Sequence, residues 1–324
     1  MGPILKRLLR LIPSYRLLEE RKQQLIAEVG TLRARIAAFE AERGAIDEWI
    51  RFAPPGHFNS PLPSRAEVAA AYARGGFGPP FPGVDLNAVE QFARLERFAT
   101  YYAEQPFSRQ PTAGRRYYLE NPSYGGHDAI MLYSMLRECR PQRIIEVGSG
   151  FSSAAILDLN EQVFGGTVDY TIIDPDLSRL HSLLGTGAVS GGRFIAQAVQ
   201  EVPIETFAVL KENDVLFIDS SHVSKIGSDV NRLIFDVLPA LAPGVLIHFH
   251  DITGNLEYPR AWLEEGRAWN ELYLLRAFLT YNPAFRIELF SRWLAISRAQ
   301  FLRERMPLCA IDGGGQLWLR KLAP

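Results

Sequence analysis

Across residues 18–50 the apolar positions recur at alternating steps of four and three. Leu18, Leu25, Leu32, Phe39 and Ile46 occupy one register and Val29, Ile36 and Ile50 the other, with Lys22 and Arg43 in the remaining seam positions. Glu, Arg, Lys and Gln crowd the other sites. Such a pattern, sustained over about four heptads, predicts a coiled-coil helix. Two readings follow: a stalk joining two copies into a homodimer, or a long amphipathic helix packed on its own globular part. Gly30 and Gly44 each weaken the helix by up to about 1 kcal/mol. Ahead of it, Ile4, Leu5, Leu8, Leu9, Leu11 and Ile12 alternate with Lys6, Arg7 and Arg10. That short amphipathic segment suits packing on protein or a weak peripheral contact with a membrane surface.

The pattern then changes twice. Residues 53–83 are rich in Pro and Gly and predict a connector with one short helix over 65–73. A helix is expected over 86–102, with Asn87 or Asp85 as N-cap and Val89, Phe92, Leu95 and Phe98 at helical spacing. The aromatic and Arg-rich stretch 114–127 either packs against the next domain or lines a substrate mouth, and a helix over 128–138 follows. From there short apolar runs alternate with helical patterns. Strands are expected at 144–147, 168–173, 193–198, 215–218, 244–249, 285–290 and 316–320, and helices at 151–160, 177–184, 205–210 and 229–241. Alternation of this kind implies βαβ units and a doubly wound, mostly parallel seven-stranded α/β sheet. The expected parts are 1–50 (amphipathic helix and coiled coil), 51–125 (connector and helical extension) and 126–324 (the α/β domain).

Composition narrows the function. The 324 residues suggest roughly two domains, and 47% are apolar, enough for a large core. The formal net charge of -1 gives no global field for nucleic acid, so a small-molecule partner is expected. Cys139 and Cys309 stand far apart without metal-finger spacing, which points to reducing cytoplasm rather than a disulfide framework. No apolar run reaches the ~20 residues of a membrane-spanning helix.

Ligands of such sheets sit beyond the carboxyl ends of the strands. The strand at 144–147 breaks into Gly148-Ser149-Gly150 and runs into a helix start, a turn where backbone N–H groups meet a ligand. With Ser153 in place of the third glycine, and Asp174 at ribose-binding distance, an NAD-dependent oxidoreductase is one reading. Glu146 argues against it: a carboxylate at the strand end repels a pyrophosphate on the turn. A cationic, phosphate-free cofactor, S-adenosylmethionine, suits the turn better.

Glu146-Val-Gly-Ser-Gly150, Asp174 at the end of the second strand and Phe-Ile-Asp219 at the end of the fourth resemble the motifs of class I S-adenosylmethionine-dependent methyltransferases, over about residues 124–321. Ile218-Asp219-Ser-Ser-His222 and the run from Pro243-Gly244 to His250-Asp251 are similar to a bacterial small-molecule branch that includes macrocin-type sugar O-methyltransferases. The resemblance implies a Rossmann-like fold and methyl transfer from S-adenosylmethionine to a small molecule, most simply at a hydroxyl. It also implies that Gly148, Ser149 and Gly150 approach the methionine and ribose through backbone atoms, that Asp174 accepts from the ribose hydroxyls, and that Gln200 faces the adenine. A turn role before Pro175 remains open for Asp174, and a purely structural role for Gln200. A non-catalytic methyltransferase-like scaffold serving the coiled coil is a further alternative.

Asp219, His222, His250 and Asp251 gather at the ends of neighbouring strands. Three readings stand: a divalent cation such as Mg on Asp219 and Asp251, metal-free general-base catalysis by His250 or His222, or a structural or cofactor-contacting role. In related catechol-type enzymes Asn follows the second metal-binding acid, whereas here Ile252 follows Asp251. His248 reads as core, and Asp229 as an N-cap. An insertion over 257–281 is expected to cover the substrate, with Trp262, Trp269, Asn270, Glu271 and Tyr273 as candidate lining residues.

Overall fold

The structure is a computed structural model that describes residues 13–184 and 192–323. The amphipathic segment expected over residues 4–12 lies outside the described residues. The chain divides into two compact units, Met1–Ala73 and Arg74–Pro324. In the first, helix α1 spans Pro13–Ile50 without a break. Its seam residues stand open, Leu18 at 67% and Phe39 at 63% exposure. The short helix α2, Arg65–Arg74, opens with a capping box. Ser64 Oγ accepts from the Glu67 N–H at 3.2 Å, and the Glu67 carboxylate accepts from the Ser64 N–H at 2.8 Å. No helix among the described residues is long and apolar enough to cross a membrane.

The second unit is built on β1 (Arg143–Val147), β2 (Asp169–Ile173), β3 (Gly192–Ile195), β4 (Val215–Ile218), β5 (Leu246–Phe249), β6 (Phe285–Phe290) and β7 (Leu317–Lys321). Among the described residues these seven strands form one sheet in the order β3-β2-β1-β4-β5-β7-β6. β1 to β5 pair in parallel, and β7 runs antiparallel to both β5 and β6. The sheet is therefore Rossmann-like and mixed, with one reversed strand. All residues of β4 and β5 are buried, the mark of strands covered on both faces. Strand order reverses between β1 and β4, which opens a crevice at their carboxyl ends.

Helices α3 (Ala88–Tyr101), α4 (Gly126–Cys139), α5 (Phe151–Val163), α6 (Ser178–Leu184) and α7 (Asp229–Arg232) share the core with the sheet. α7 continues into a wider π-helical turn, Leu233–Val237, before Leu238–Ala240. The helix expected over 205–210 is only a 3-10 turn, Ile204–Thr206. Asn87 stands at the start of α3 in a left-handed conformation. Its side chain does not cap the helix but donates to the Ile287 carbonyl at 3.0 Å.

Residues 74–125 fall in the same compact unit as the sheet, and α3 is fastened to the sheet edge. Leu95 and Phe98 enter the common core. Arg94 meets the buried Glu288 of β6 at 2.6 Å and Glu138 of α4 at 3.0 Å. Burial would raise the Glu288 carboxyl, but Arg94, Arg286 and Arg320 outweigh it and hold the group below its ordinary value.

Candidate active site

The glycine turn is built by close approach of two strand ends. The Gly148 N–H donates to the Ile173 carbonyl and the Asp219 N–H to the Val147 carbonyl, each at 2.9 Å. Gly148 has φ 89°, and a Cβ on it would lie 1.8 Å from the Asp219 carbonyl oxygen. Only glycine fits there, for conformation and for space. At the start of α5 the Gly150 N–H donates to Ser153 Oγ at 3.1 Å.

Glu146 is placed differently from expectation. It is fully buried, and its carboxylate accepts from the hydroxyls of Ser152 and Ser153 at 2.6 Å each and from the Tyr170 hydroxyl. Burial pushes its carboxyl up to about 7 against these hydrogen bonds. The residue ties β1 and β2 to the first turn of α5. It is not among the residues lining the neighbouring cavity, so the repulsion argument against a pyrophosphate loses its geometric basis.

That cavity, about 640 Å³, opens at the carboxyl ends of β1, β2 and β4, and Gly148, Ser149, Asp174, Gln200 and Asp219 all line it. Gly150 is buried beneath it. Ser149 Oγ donates to Asp174 Oδ2 at 2.7 Å, and the Asp176 N–H to Asp174 Oδ1 at 2.8 Å. Gln200 Nε2 donates to the Gly227 carbonyl at 2.8 Å. Arg179 of α6 reaches over the turn, its Cδ 3.5 Å from the position a Gly150 Cβ would take, and adds a cation to the lining. Asp229 lines the same cavity but is not the N-cap of α7. Ser228 is, accepting from the Asn231 N–H at 3.2 Å, while the Asp229 carboxylate holds the Ser221 N–H and hydroxyl.

A second cavity, about 260 Å³, is lined by Asp128, His250, Asp251, Trp262, Arg292 and Asp312 among others. Between the two lies a cluster of two carboxylates and two imidazoles. His222 Nε2 stands 3.5 Å from Asp219 Oδ1 and 3.6 Å from Asp251 Oδ2. His250 Nδ1 stands 3.5 Å from Asp219 Oδ1 and 3.6 Å from Asp251 Oδ1. The far side of each ring is also held by an acid. His222 Nδ1 donates to Glu271 Oε2 at 2.9 Å, and His250 Nε2 to Asp128 Oδ2 at 3.4 Å. His222 and Asp251 both take left-handed backbone conformations, φ 60° and 57°, which non-glycine residues adopt at a cost where the surroundings demand it.

The electrostatics follow from this packing. Burial works against an imidazolium at His222, but Asp219 and Glu271 prevail and raise it to about 10. His250 is raised in the same way by Asp219 and Asp128. Burial also opposes charge on Asp219, yet the two histidines hold its carboxyl far below the usual range. Burial pushes Asp251 up. Asp219 and Asp251 thus face imidazoles, and no group of three or more His, Cys, Asp or Glu side chains among the described residues is already gathered to hold a metal ion. His248 is fully buried, stacked on Phe217 at 3.8 Å between ring centroids, and burial keeps it neutral.

Among solved structures, an apo structure of CmcI is 17% identical with a TM-score of 0.40, over 69% of this chain and 84% of that one. SAH-bound PaMTH1 of Podospora anserina, a methyltransferase, is 16% identical with a TM-score of 0.38, over 82% and 100%. The family described as "Methyltransferase domain" matches residues 145–252, from within β1 to just beyond β5. A protein of Archaeoglobus fulgidus described as uncharacterized is 32% identical over 168 residues, 49% of this chain and 74% of that protein. The chain belongs to the class I S-adenosylmethionine-dependent methyltransferases.

In this methyltransferase the structure brings most of the residues singled out from sequence to one crevice. Gly148, Ser149, Asp174, Gln200, Asp219 and His222 meet in the larger cavity, and His250 and Asp251 in the smaller. Of the insertion, helices α8 (Arg260–Glu264) and α9 (Glu271–Leu279), Trp269 lines the first cavity and Trp262 the second. Asn270 is taken up by the Ser224 backbone, and the Tyr273 hydroxyl by Glu257. Sequence reasoning missed Arg179 and the two supporting acids, Asp128 and the partner role of Glu271. Asp128, an acid in the first turn of α4, reads locally as a helix-dipole residue. Only the sheet order carries it to His250, 122 positions away.

Proposed function

We propose that the methyltransferase moves the methyl group of S-adenosylmethionine onto a hydroxyl of a small molecule bound in the 260 Å³ cavity. One observation carries this reading: Asp219 and His222 line the larger cavity, His250 and Asp251 line the smaller, and each of the two imidazoles stands 3.5–3.6 Å from both carboxylates, forming a shared wall. A reacting methyl presented at that wall would meet an acceptor oxygen from the other side.

In the larger cavity Asp174 would accept from the ribose hydroxyls, Gln200 would face the adenine, and the Gly148-Ser149 backbone would hold the methionine part, with Arg179 near enough to the turn to meet its carboxylate. When bound, S-adenosylmethionine would supply the methyl group: the acceptor oxygen would form its bond to the methyl carbon as the carbon–sulfur bond breaks, leaving that electron pair on sulfur as a neutral thioether. The acceptor's proton passes to an imidazole of His222 or His250. An imidazole must be neutral to take it, and a sulfonium beside Asp219 works in that direction by placing a second cation next to the ring. Glu271 and Asp128 fix ring orientation, as carboxylates do behind catalytic histidines.

A divalent cation on Asp219 and Asp251 is the second reading. It is favoured by nitrogen and oxygen donors that face one another at 3.5–3.6 Å without hydrogen-bonding. A mixed His and Asp set suits a transition metal better than Mg. Such an ion would act as a Lewis acid on the acceptor oxygen.

The test combines calorimetry with transfer of labelled methyl groups to fractionated metabolites. Asp174→Ala is expected to weaken cofactor binding at least tenfold with the fold intact, and unchanged affinity removes Asp174 from the site. His222→Asn and His250→Asn are expected to abolish transfer while cofactor affinity stays within about threefold. Turnover that survives chelation, with metal loss verified, leaves the histidine reading alone. We also read α1 as a coiled coil joining two copies of the chain.

A further inference from the structure

The exposed face of α1 carries more than a hydrophobic stripe. With Leu18, Leu25, Leu32, Phe39 and Ile46 as the d positions of the heptad, Lys22, Val29, Ile36, Arg43 and Ile50 are the a positions. The d side chains are 45–67% exposed, and Val29 and Ile36 are 46% and 56% exposed, on a helix about 57 Å long at 1.5 Å per residue. The g positions then alternate in sign. Arg21, Glu28, Arg35 and Glu42 are the g residues, and Glu19, Ile26, Arg33, Glu40 and Asp47 the e residues. Both helix glycines, Gly30 and Gly44, fall at outward b positions, with nothing within 4 Å of an added Cβ.

We infer that α1 pairs with a second copy of itself in parallel and in register, as a two-stranded coiled coil. This rests on the coiled-coil reading above and adds orientation, register and strand number. In a parallel pair each g residue faces the e residue five positions later on the other helix. In register, Glu28 meets Arg33 and Arg35 meets Glu40, each twice by symmetry. Glu42 with Asp47, at the far end, is the one pair alike in sign. A slip of one heptad sets Arg21 and Arg35 against Arg33 and Glu28 and Glu42 against Glu40, four like pairs that outnumber the two unlike ones, Arg21 with Glu19 and Arg35 with Asp47. It also puts Lys22 against Val29 and Arg43 against Ile50 and leaves an apolar layer uncovered at each end.

The antiparallel pairing that keeps the apolar layers stacked sets Leu25 of one copy beside Arg43 of the other and Val29 beside Phe39. There e residues face e and g face g, so Arg33 meets Arg33, Arg35 meets Arg35 and Glu28 meets Glu42. Charge therefore selects the parallel form, since like charges at close range disfavour the wrong partner. Strand number follows from Lys22 and Arg43. In a two-stranded coil long cationic side chains at a positions can run outward along the seam and keep their charges in water. In a trimer or tetramer the same positions are enclosed, and a lone charged a residue is a known device for setting oligomer order at a cost in stability.

Sedimentation velocity on the full-length protein is the first measurement, and a dimer is expected. A monomer removes the coiled coil and with it this inference, and leaves the catalytic reading untouched; a trimer or tetramer overturns the strand number. Orientation is read by mild oxidation of single-cysteine additions. Leu25→Cys is expected to form a disulfide-linked dimer with itself. A cross-link that forms only when Leu25→Cys is mixed with Arg43→Cys overturns the parallel form. Charge gives an independent readout: Arg33→Glu should weaken dimerisation about tenfold, and Glu28→Arg with Arg33→Glu should restore it to within about threefold. In an antiparallel pair Arg33→Glu exchanges one like pair for another, so an unchanged dimer constant also overturns the proposal. Cofactor binding by each variant checks that the catalytic unit is intact.

Discussion

Glu146 has three hydroxyl partners and no solvent, a combination that makes it a sensor of pH for the fold rather than for the ligand. Burial raises its carboxyl from the ordinary 4.5 to about 7. Between those values the native state holds a proton that the unfolded chain has released, so stability falls as pH rises through this window. The interval corresponds to roughly 3 kcal/mol once the group is fully ionised. Glu146→Gln keeps the shape and cannot ionise. Denaturant titrations at pH 5 and pH 8 should therefore show wild type losing stability relative to Glu146→Gln at the higher pH, and parallel behaviour of the two proteins would refute the assignment. This residue also marks a limit of sequence reading. That an acid ends β1 was legible, as was the glycine that must follow it two positions on. Its direction was not, because it is set by Ser152 and Ser153 on the next helix and by Tyr170 on the neighbouring strand.

At the scale of elements, the strands were legible because each is a short apolar run closed by a turn residue or an acid, as in Val215–Ile218 before Asp219. What could not be read was reach across elements. α9 begins with Glu271 so that a buried carboxylate meets the ring of His222, 49 positions earlier. The other oxygen of that carboxylate has no hydrogen-bond partner. Burial keeps the Glu271 carboxyl above its ordinary value, so the pair is maintained against a desolvation cost, while Leu272, Leu275 and Leu279 hold the element in the core. If Glu271 orients His222, Glu271→Ala should lower kcat about ten- to hundredfold with cofactor affinity unchanged, and Glu271→Gln should recover part of the loss because it can still accept from Nδ1. Equal loss in both variants, or a matching loss of cofactor binding, would make Glu271 a packing residue only.

At the scale of the whole chain, two kinds of stabilisation divide the labour. The unit Arg74–Pro324 holds the sheet, the common core and every residue of both cavities. The unit Met1–Ala73 holds a helix whose apolar positions stand exposed, so it gains little from burial within that unit. Composition suggested two parts and the heptad period a separate first segment, whereas residues 74–125 fall in the same compact unit as the sheet. The ties that join this stretch to the sheet, Arg94 to Glu288 and Gln91 to the Phe290 N–H, span about two hundred positions and leave no local pattern. The division has a thermodynamic consequence. A ligand that binds only the native catalytic unit raises that unit's melting temperature by an amount set by its own affinity and concentration. Removing residues 1–50 deletes α1 and touches neither cavity. The shortened protein should bind S-adenosylmethionine with an unchanged dissociation constant and show the same ligand-dependent rise in melting temperature, while sedimenting as a monomer. A dimer that persists would place the interface outside α1, and a cofactor affinity that falls several-fold would mean that the second copy reaches into the catalytic unit's own function.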